Sequence, residues 1–357
     1  MSYPKITVDL SKIEHNTRVM KERLQKNNIE TMGAVTKVFC GNPYIAKAFV
    51  EGGADFLADS RVQNLEKLKD LPTPKMLLRL PMISEVEDVI DYADISLNSE
   101  VSTLKALNEA ARKKDKTHKV ILMADLGDLR EGFFKEEDLY EAAELVLSLE
   151  NLHLYGVGVN LTCYGAVIPK PEILARLTKF RDGIKDKFNH TIEIVSGGNS
   201  SSIYLVGKED LPGINNLRLG ECLVLGTESS YGEKVEGLYC DAWTFEAEII
   251  ELKEKPSIPT ADELGVDAFG HKPSFVDRGV RKRAIIAIGK QDVDLDTLIP
   301  KDDSIIILGG SSDHTILDVS DVKEDLKVGD RVQFDVKYGA ILSLSTSEYI
   351  EKEILGA

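Results

Sequence analysis

The sequence predicts an α/β protein in which an N-terminal (β/α)8 barrel occupies residues 1–228 and a β-rich domain follows over residues 229–357. Three observations predict it. About eight short apolar or β-branched runs alternate with helical patterns up to about residue 225, the signature of βαβ units and, at that number, of a closed parallel barrel. After Gly226 the texture changes to strand-like segments joined by Gly-, Pro- and Asp-rich turns. The first barrel run also carries a lysine, Lys37, to its carboxyl end, where chemistry sits in α/β folds.

Taken in order, the chain enters a strand almost at once at Ile6-Thr-Val-Asp-Leu10, and these first residues are candidates to pair with the C-terminal domain. The barrel strands are expected at 30–36, 55–58, 75–80, 94–97, 119–124, 152–159, 191–195 and 216–219. Between them lie amphipathic stretches such as 101–113 and 137–149, with apolar residues at helical spacing. The second domain is expected to carry strands at 242–253, 283–288, 304–308, 314–319 and 331–336, with little helical periodicity. The connection over 254–282 is long for a compact domain, and long loops are often functional.

Composition bounds the function. A net charge of -16, from 44 basic and 60 acidic residues, argues against a nucleic-acid partner, because phosphate backbones are bound by basic surfaces. Cys40, Cys163, Cys222 and Cys240 are widely spaced, which supports neither a zinc knuckle nor a small disulfide scaffold, and reduced thiols are the simplest account. No leader-like segment and no membrane-spanning run is evident, so a cytoplasmic protein is expected.

Four clusters carry chemistry. Lys37 can be a solvated charge, an ion-pair partner, or an amine that forms a Schiff base with a carbonyl cofactor. Ser196-Gly-Gly-Asn-Ser-Ser-Ser202 follows the seventh strand; a loop and helix cap is its ordinary role, but glycines, hydroxyls and successive amides at that place in a barrel also suit a phosphate. Arg218, in Asn216-Leu-Arg-Leu-Gly-Glu221, sits in an apolar strand, where a charge needs a partner such as Glu221, and Gly220 permits close backbone approach. Asp125-Leu-Gly-Asp-Leu-Arg-Glu-Gly132 makes a tight polar loop at the same mouth, in which Arg130 is either a surface ion-pair partner or a ligand-binding group.

Together with Leu308-Gly-Gly-Ser-Ser-Asp-His-Thr315, these motifs resemble the alanine-racemase-like, fold-type III family of pyridoxal-phosphate enzymes, in the wording of its ornithine and broad amino-acid racemase branch. The resemblance covers almost the whole chain. It implies a homodimeric amino-acid racemase that interconverts L- and D-amino acids, ornithine first, by two-base proton exchange at Cα through an external aldimine of pyridoxal 5'-phosphate. Lys37 would then hold the cofactor, Arg218 would face its pyridine nitrogen, and Arg130 would lie near its phenolic oxygen or the substrate carboxylate. Asn160 would stand at the ring, and Ser196, Asn199, Ser200, Ser201, Gly220 and Glu221 would surround the phosphate.

Racemisation needs proton exchange on both faces of a planar carbon, and Lys37 can serve one. The family supplies the other base as a tyrosine of the partner subunit's β domain. The matching stretch here, placed at Asp267-Ala-Phe-Gly-His-Lys-Pro-Ser-Phe275, has none, which leaves His271 as the candidate beside its ordinary reading as a loop histidine. Ser312, Asp313 and His314 match a partner-subunit segment that approaches the substrate carboxylate. The alternatives are a racemase for alanine, serine, lysine or arginine, a decarboxylase or aldolase of the same fold, and a non-catalytic cofactor-homeostasis protein. No metal-ligand pattern is evident.

Overall fold

Eight parallel strands close on themselves in the computed structural model, which describes residues 3–356. The chain begins with Lys5–Asp9 (β1), then runs through Leu10–Lys26 (α1), Thr31–Val35 (β2), Pro43–Glu51 (α2), Phe56–Asp59 (β3) and Val62–Lys67 (α3). Lys75–Leu77 (β4), Val86–Tyr92 (α4), Ile95–Asn98 (β5), Val101–Lys113 (α5), His118–Ala124 (β6), Glu136–Ser148 (α6) and Leu152–Val159 (β7) follow. Pro171–Phe188 (α7), Ile194–Ser196 (β8), Asn216–Leu219 (β9) and Glu221–Leu225 (α8) complete this part, with the barrel closed in the order β2 to β9.

The expected barrel strands all form, most within a residue or two of the expected bounds. Every residue of β3, β5 and β9 is buried, as expected of strands covered on both faces, and the reason their sequences read as continuous rather than alternating runs. The barrel interior is packed by Phe56, Met76, Leu97, Ile121, Met123 and their neighbours, so it is a core and not a pore. On α5 the buried residues Thr103, Leu104, Leu107, Ala110 and Ala111 recur at helical spacing, which is the pattern that identifies it. Gly156 marks a tight approach between β7 and β8, since a Cβ there would stand 2.4 Å from the Ile194 carbonyl oxygen.

The chain divides into two compact units, one of Leu10–Cys240 and the other of Met1–Asp9 with Asp241–Ala357. Residues just beyond the last barrel helix stay with the first unit because buried Asn16 on α1 binds them: its amide donates to the Tyr239 and Leu223 carbonyls and its oxygen accepts from the Tyr239 N–H. The second unit contains Trp243–Pro256 (β10), Val280–Ile286 (β11), Leu298–Pro300 (β12), Ile306–Gly310 (β13), Thr315–Asp318 (β14), Arg331–Val336 (β15), Tyr338–Thr346 (α9) and Glu351–Leu355 (β16). Its sheet runs β12-β15-β10-β11-β14-β13, and β1 joins it by pairing antiparallel with β10 and parallel with β16. A bulge between Ile249 and Glu251 bends β10, and Phe245 faces Phe334 across the β10–β15 ladder with ring centroids 5.9 Å apart.

Two expectations are corrected. Helix α9 has no counterpart among the expected elements: only Ala340, Ile341 and Leu344 mark its buried side, too few to establish a period. The long connection is shorter than expected, since β10 and β11 extend to Pro256 and from Val280 as a paired hairpin.

His118 at the start of β6 is sealed from water, with its Nε2 2.8 Å from the Ser96 hydroxyl. Burial lowers its pKa to about 4, while Asp94 and the Ala93 carbonyl oppose that shift. A lowered folded value means the unfolded chain takes up the proton first. Stability should therefore be full above pH 6.5 and fall by about 3 kcal/mol as the pH drops to about 4. Denaturant titrations of wild type and His118→Gln across that window check it: the variant should lose most of this slope.

Candidate functional site

Parallel strands send all eight carboxyl ends to one mouth, and most of the sequence-predicted site residues lie there. β2 ends at Val35, one residue short of the expected bound, and Lys37 opens a short 3-10 turn, Lys37–Phe39, which closes on Cys40 in the left-handed conformation (φ 56°). The Thr36 carbonyl accepts from the Phe39 and Gly41 N–H groups, so the lysine's backbone belongs to a tight, internally bonded turn.

Arg218 on β9 is 3 % exposed. Its guanidinium donates to the Ser196 hydroxyl and, at 2.7 Å, to the Val159 carbonyl oxygen, joining the carboxyl ends of β7, β8 and β9. Ser196 in turn donates to Asn216 Oδ1 at 2.6 Å. Gly33 on β2 is in register with Arg218, and a Cβ there would lie 3.7 Å from Arg218 Cγ, an ordinary contact distance. Burial lowers the Arg218 pKa to about 10; Glu131 and Cys163 pull it upward and Arg130 pushes it down. It stays protonated at neutral pH. The expected alternative partner, Glu221, is absent from its bonds: that carboxylate, raised by burial, accepts instead from Ser229 and Thr227.

Arg130 forms a fork-shaped ion pair with Glu131, which raises the arginine's pKa above its ordinary value. Glu131 thus faces both arginines electrostatically, a role that its place in the Asp125–Gly132 loop signals only by adjacency. Asp125 and Asp128 are structural: the first accepts from the Gly127 and Leu129 N–H groups, the second from those of Tyr164, Gly165 and Val167.

In the serine-rich loop, Asn199 caps the 3-10 helix Ser200–Leu205 by accepting from the Ser201 N–H at 2.7 Å, and its amide donates to Asn160 Oδ1 and the Leu161 carbonyl. The Ser200 hydroxyl is already engaged by the Gly220 and Cys222 N–H groups, and Ser202 donates to the Gly197 carbonyl. By contrast Asn160 Nδ2 and Ser201 Oγ are buried with no hydrogen-bond partner. Orphaned buried donors of this kind call for a ligand or water. Cys163, which sequence reasoning passes over, is an exposed thiol between Asn160 and Asn199.

His271 and Ser312, Asp313 and His314 belong to the second unit. His271 is an exposed loop residue whose Nδ1 lies 3.6 Å from Asp267 Oδ2, beside a cavity of ≈ 930 Å³ that Lys290, Asp292 and Phe269 also line. Ser312, Asp313 and His314 occupy the β13–β14 turn, where His314 Nδ1 sits 2.8 Å from Asp313 Oδ1 and holds that carboxyl below its usual range. Among the described residues no group of three or more His, Cys, Asp or Glu is placed to hold a metal, and no helix is long and apolar enough to cross a membrane.

Comparison with known proteins gives the family of this barrel. Residues 8–228 match the alanine racemase N-terminal domain, and the chain belongs to that family. Over 354 residues, 99 % of this chain and 100 % of the relative, it is 55 % identical to the ornithine racemase of Acetoanaerobium sticklandii. It is 39 % identical to the lysine racemase of Thermotoga maritima, over 99 % of this chain and 98 % of that one. The fold is that of the Bartonella henselae alanine racemase solved with covalently bound pyridoxal phosphate, at TM-score 0.75 and 19 % identity over 99 % of this chain and 100 % of the other.

Thiol chemistry reports on the mouth directly. Burial raises the Cys222 thiol to about 12, whereas Cys163 is exposed. Brief alkylation of the folded protein near pH 8, followed by peptide mass spectrometry, should label Cys163 and leave Cys222 unlabelled until the chain is unfolded.

Proposed function

We propose that the protein is a pyridoxal-phosphate-dependent amino-acid racemase with ornithine as its preferred substrate, working as a cytoplasmic homodimer whose active sites are shared between subunits. The observation that carries the reading is the buried, protonated Arg218 beside orphaned Asn160 and Ser201 at the mouth that Lys37 enters. Near-complete coverage of an ornithine racemase at 55 % identity supports the substrate.

Lys37 would hold the cofactor, Asn160 would meet its ring, and Ser201 would take its phosphate. Because the Ser200 hydroxyl is engaged with Gly220 and Cys222, Ser201 is the stronger hydroxyl for that task. When bound, pyridoxal phosphate supplies an electron sink that acidifies the Cα proton of an attached amino acid. Arg218 has more N–H donors than its two protein acceptors use, and as a permanent donor it would leave a facing ring nitrogen unprotonated, which restrains delocalisation and favours returning the proton to Cα over transamination. The Lys37 amine takes or returns the proton on one face of Cα. His271 would serve the other face, and the Ser312–His314 turn would approach the substrate carboxylate. Arg130, held in a fork by Glu131, orients the substrate.

Incubating L-ornithine with cofactor-loaded protein should abolish the circular dichroism of the amino acid without release of carbon dioxide or aldehyde; persistent optical activity across a panel of L-amino acids would reject the assignment. Lys37→Ala should lower the rate by about 10²–10⁴-fold. His271→Ala should suppress turnover while the visible absorbance of the cofactor on Lys37 stays intact, and near-wild-type racemisation would exclude His271 as the second base.

A further inference from the structure

Asp59, at the carboxyl end of β3, is fully buried and belongs to none of the roles above. Its Oδ1 accepts from the Arg61 N–H at 2.9 Å and the Asn64 amide at 3.0 Å, which closes the turn into α3. Its Oδ2 makes a different contact, accepting from the Thr36 hydroxyl at 2.6 Å. Thr36 is itself fully buried and immediately precedes Lys37; the Ala58 carbonyl, its other acceptor, is farther at 3.3 Å, so the single hydroxyl proton goes to the carboxylate.

The same segment grips the other end of the lysine turn. Lys67 on α3 donates to the Cys40 carbonyl at 2.9 Å and to Asn64 Oδ1 at 3.1 Å. Gly41, at φ +62°, packs so closely on Asn64 that an added Cβ would stand 2.8 Å from the Asn64 Cβ. One carboxylate therefore connects, directly or through Asn64, to the residue before Lys37 and to the two residues that close its turn. Closing the turn into α3 needs only Oδ1. The bond from Oδ2 to Thr36 has no purpose for α3, but it fixes the backbone one residue from the amine.

We propose that Asp59 is the positioning residue for Lys37, holding the Thr36–Gly41 backbone through the Thr36 hydroxyl on one side and through Asn64 and Lys67 on the other. This rests on the racemase reading, because the turn matters to chemistry only if Lys37 carries the cofactor. An asparagine at 59 could keep the turn into α3 and would present an NH₂ toward Thr36, so the bond would reverse direction rather than disappear, and Thr36 is the side to change.

The test is Thr36→Val, which removes the hydroxyl at nearly constant volume, with Thr36→Ser as the rescue. Cofactor-free protein is mixed with pyridoxal phosphate, the condensation of the Lys37 amine with the aldehyde, losing water, is followed by visible absorbance, and borohydride reduction to the secondary amine locates it by peptide mass spectrometry. Assayed well below its melting temperature, which should fall because a buried carboxylate oxygen loses its donor, Thr36→Val should slow this attachment, and kcat for racemisation, about ten- to hundredfold with KM little changed, and Thr36→Ser should recover most of both. Attachment and kcat within twofold of wild type in Thr36→Val would overturn the proposal, as would equal losses in Thr36→Ser or a loss seen only close to the melting temperature. Should Thr36→Val not fold, Thr36→Ala takes its place: the same slowing, measured on folded protein, supports the proposal, and attachment and kcat within twofold of wild type overturn it. Failure of wild type to attach the cofactor at Lys37 would instead sink the racemase reading itself.

Discussion

The constraint on which the rest of the barrel mouth depends is the burial of one guanidinium. A cation removed from water survives only with acceptors in place, and Arg218 obtains them from Ser196 and the Val159 carbonyl on the neighbouring strands. Those bonds draw the carboxyl ends of β7, β8 and β9 together. An apolar residue at 218 would pack as well and be easier to bury, so the cost of the charge argues that it serves a ligand.

Around that charge the polar groups separate into engaged and available. Asp125, Asp128 and Glu228 are closed by backbone N–H groups and shape loops. Ser200 and Ser202 are bonded inward. Among the described residues at this end of the barrel, Asn160 Nδ2 and Ser201 Oγ are buried without a partner, as is Asn98 Oδ1 at the end of β5. The division distinguishes serines that are indistinguishable in a Ser-Ser-Ser run. The Lys37 turn shows the same economy of support, since a single buried carboxylate on the next strand braces it while also starting the helix that follows.

Much of this is legible in the sequence because burial on both faces leaves an unmistakable trace. The barrel strands read as apolar runs and the helices between them as periodic ones, so the architecture follows, and the ordered motifs at Lys37, Asp125–Gly132, Ser196–Ser202 and Arg218 point to one mouth. Helix α9 escapes, since its three buried residues fall short of a period. Glu131 is visible only as the neighbour of Arg130, and Asp59 is just a charge after Phe-Leu-Ala, though its place at the end of an apolar run is the one signal that could have raised it.

The sequence by itself determined the class of fold and proposed a set of side chains for the site, because periodicity and motif order are local and survive without coordinates. Only the tertiary structure decided which of those side chains are available. Whether Ser200 or Ser201 offers its hydroxyl, whether Glu221 or Ser196 partners Arg218, and whether Asp59 touches the lysine turn all depend on groups 20 or more residues apart meeting within 3.5 Å. Hydrogen bonds are short-ranged and directional, so their partners are set by strand register and helix packing, which no linear spacing encodes.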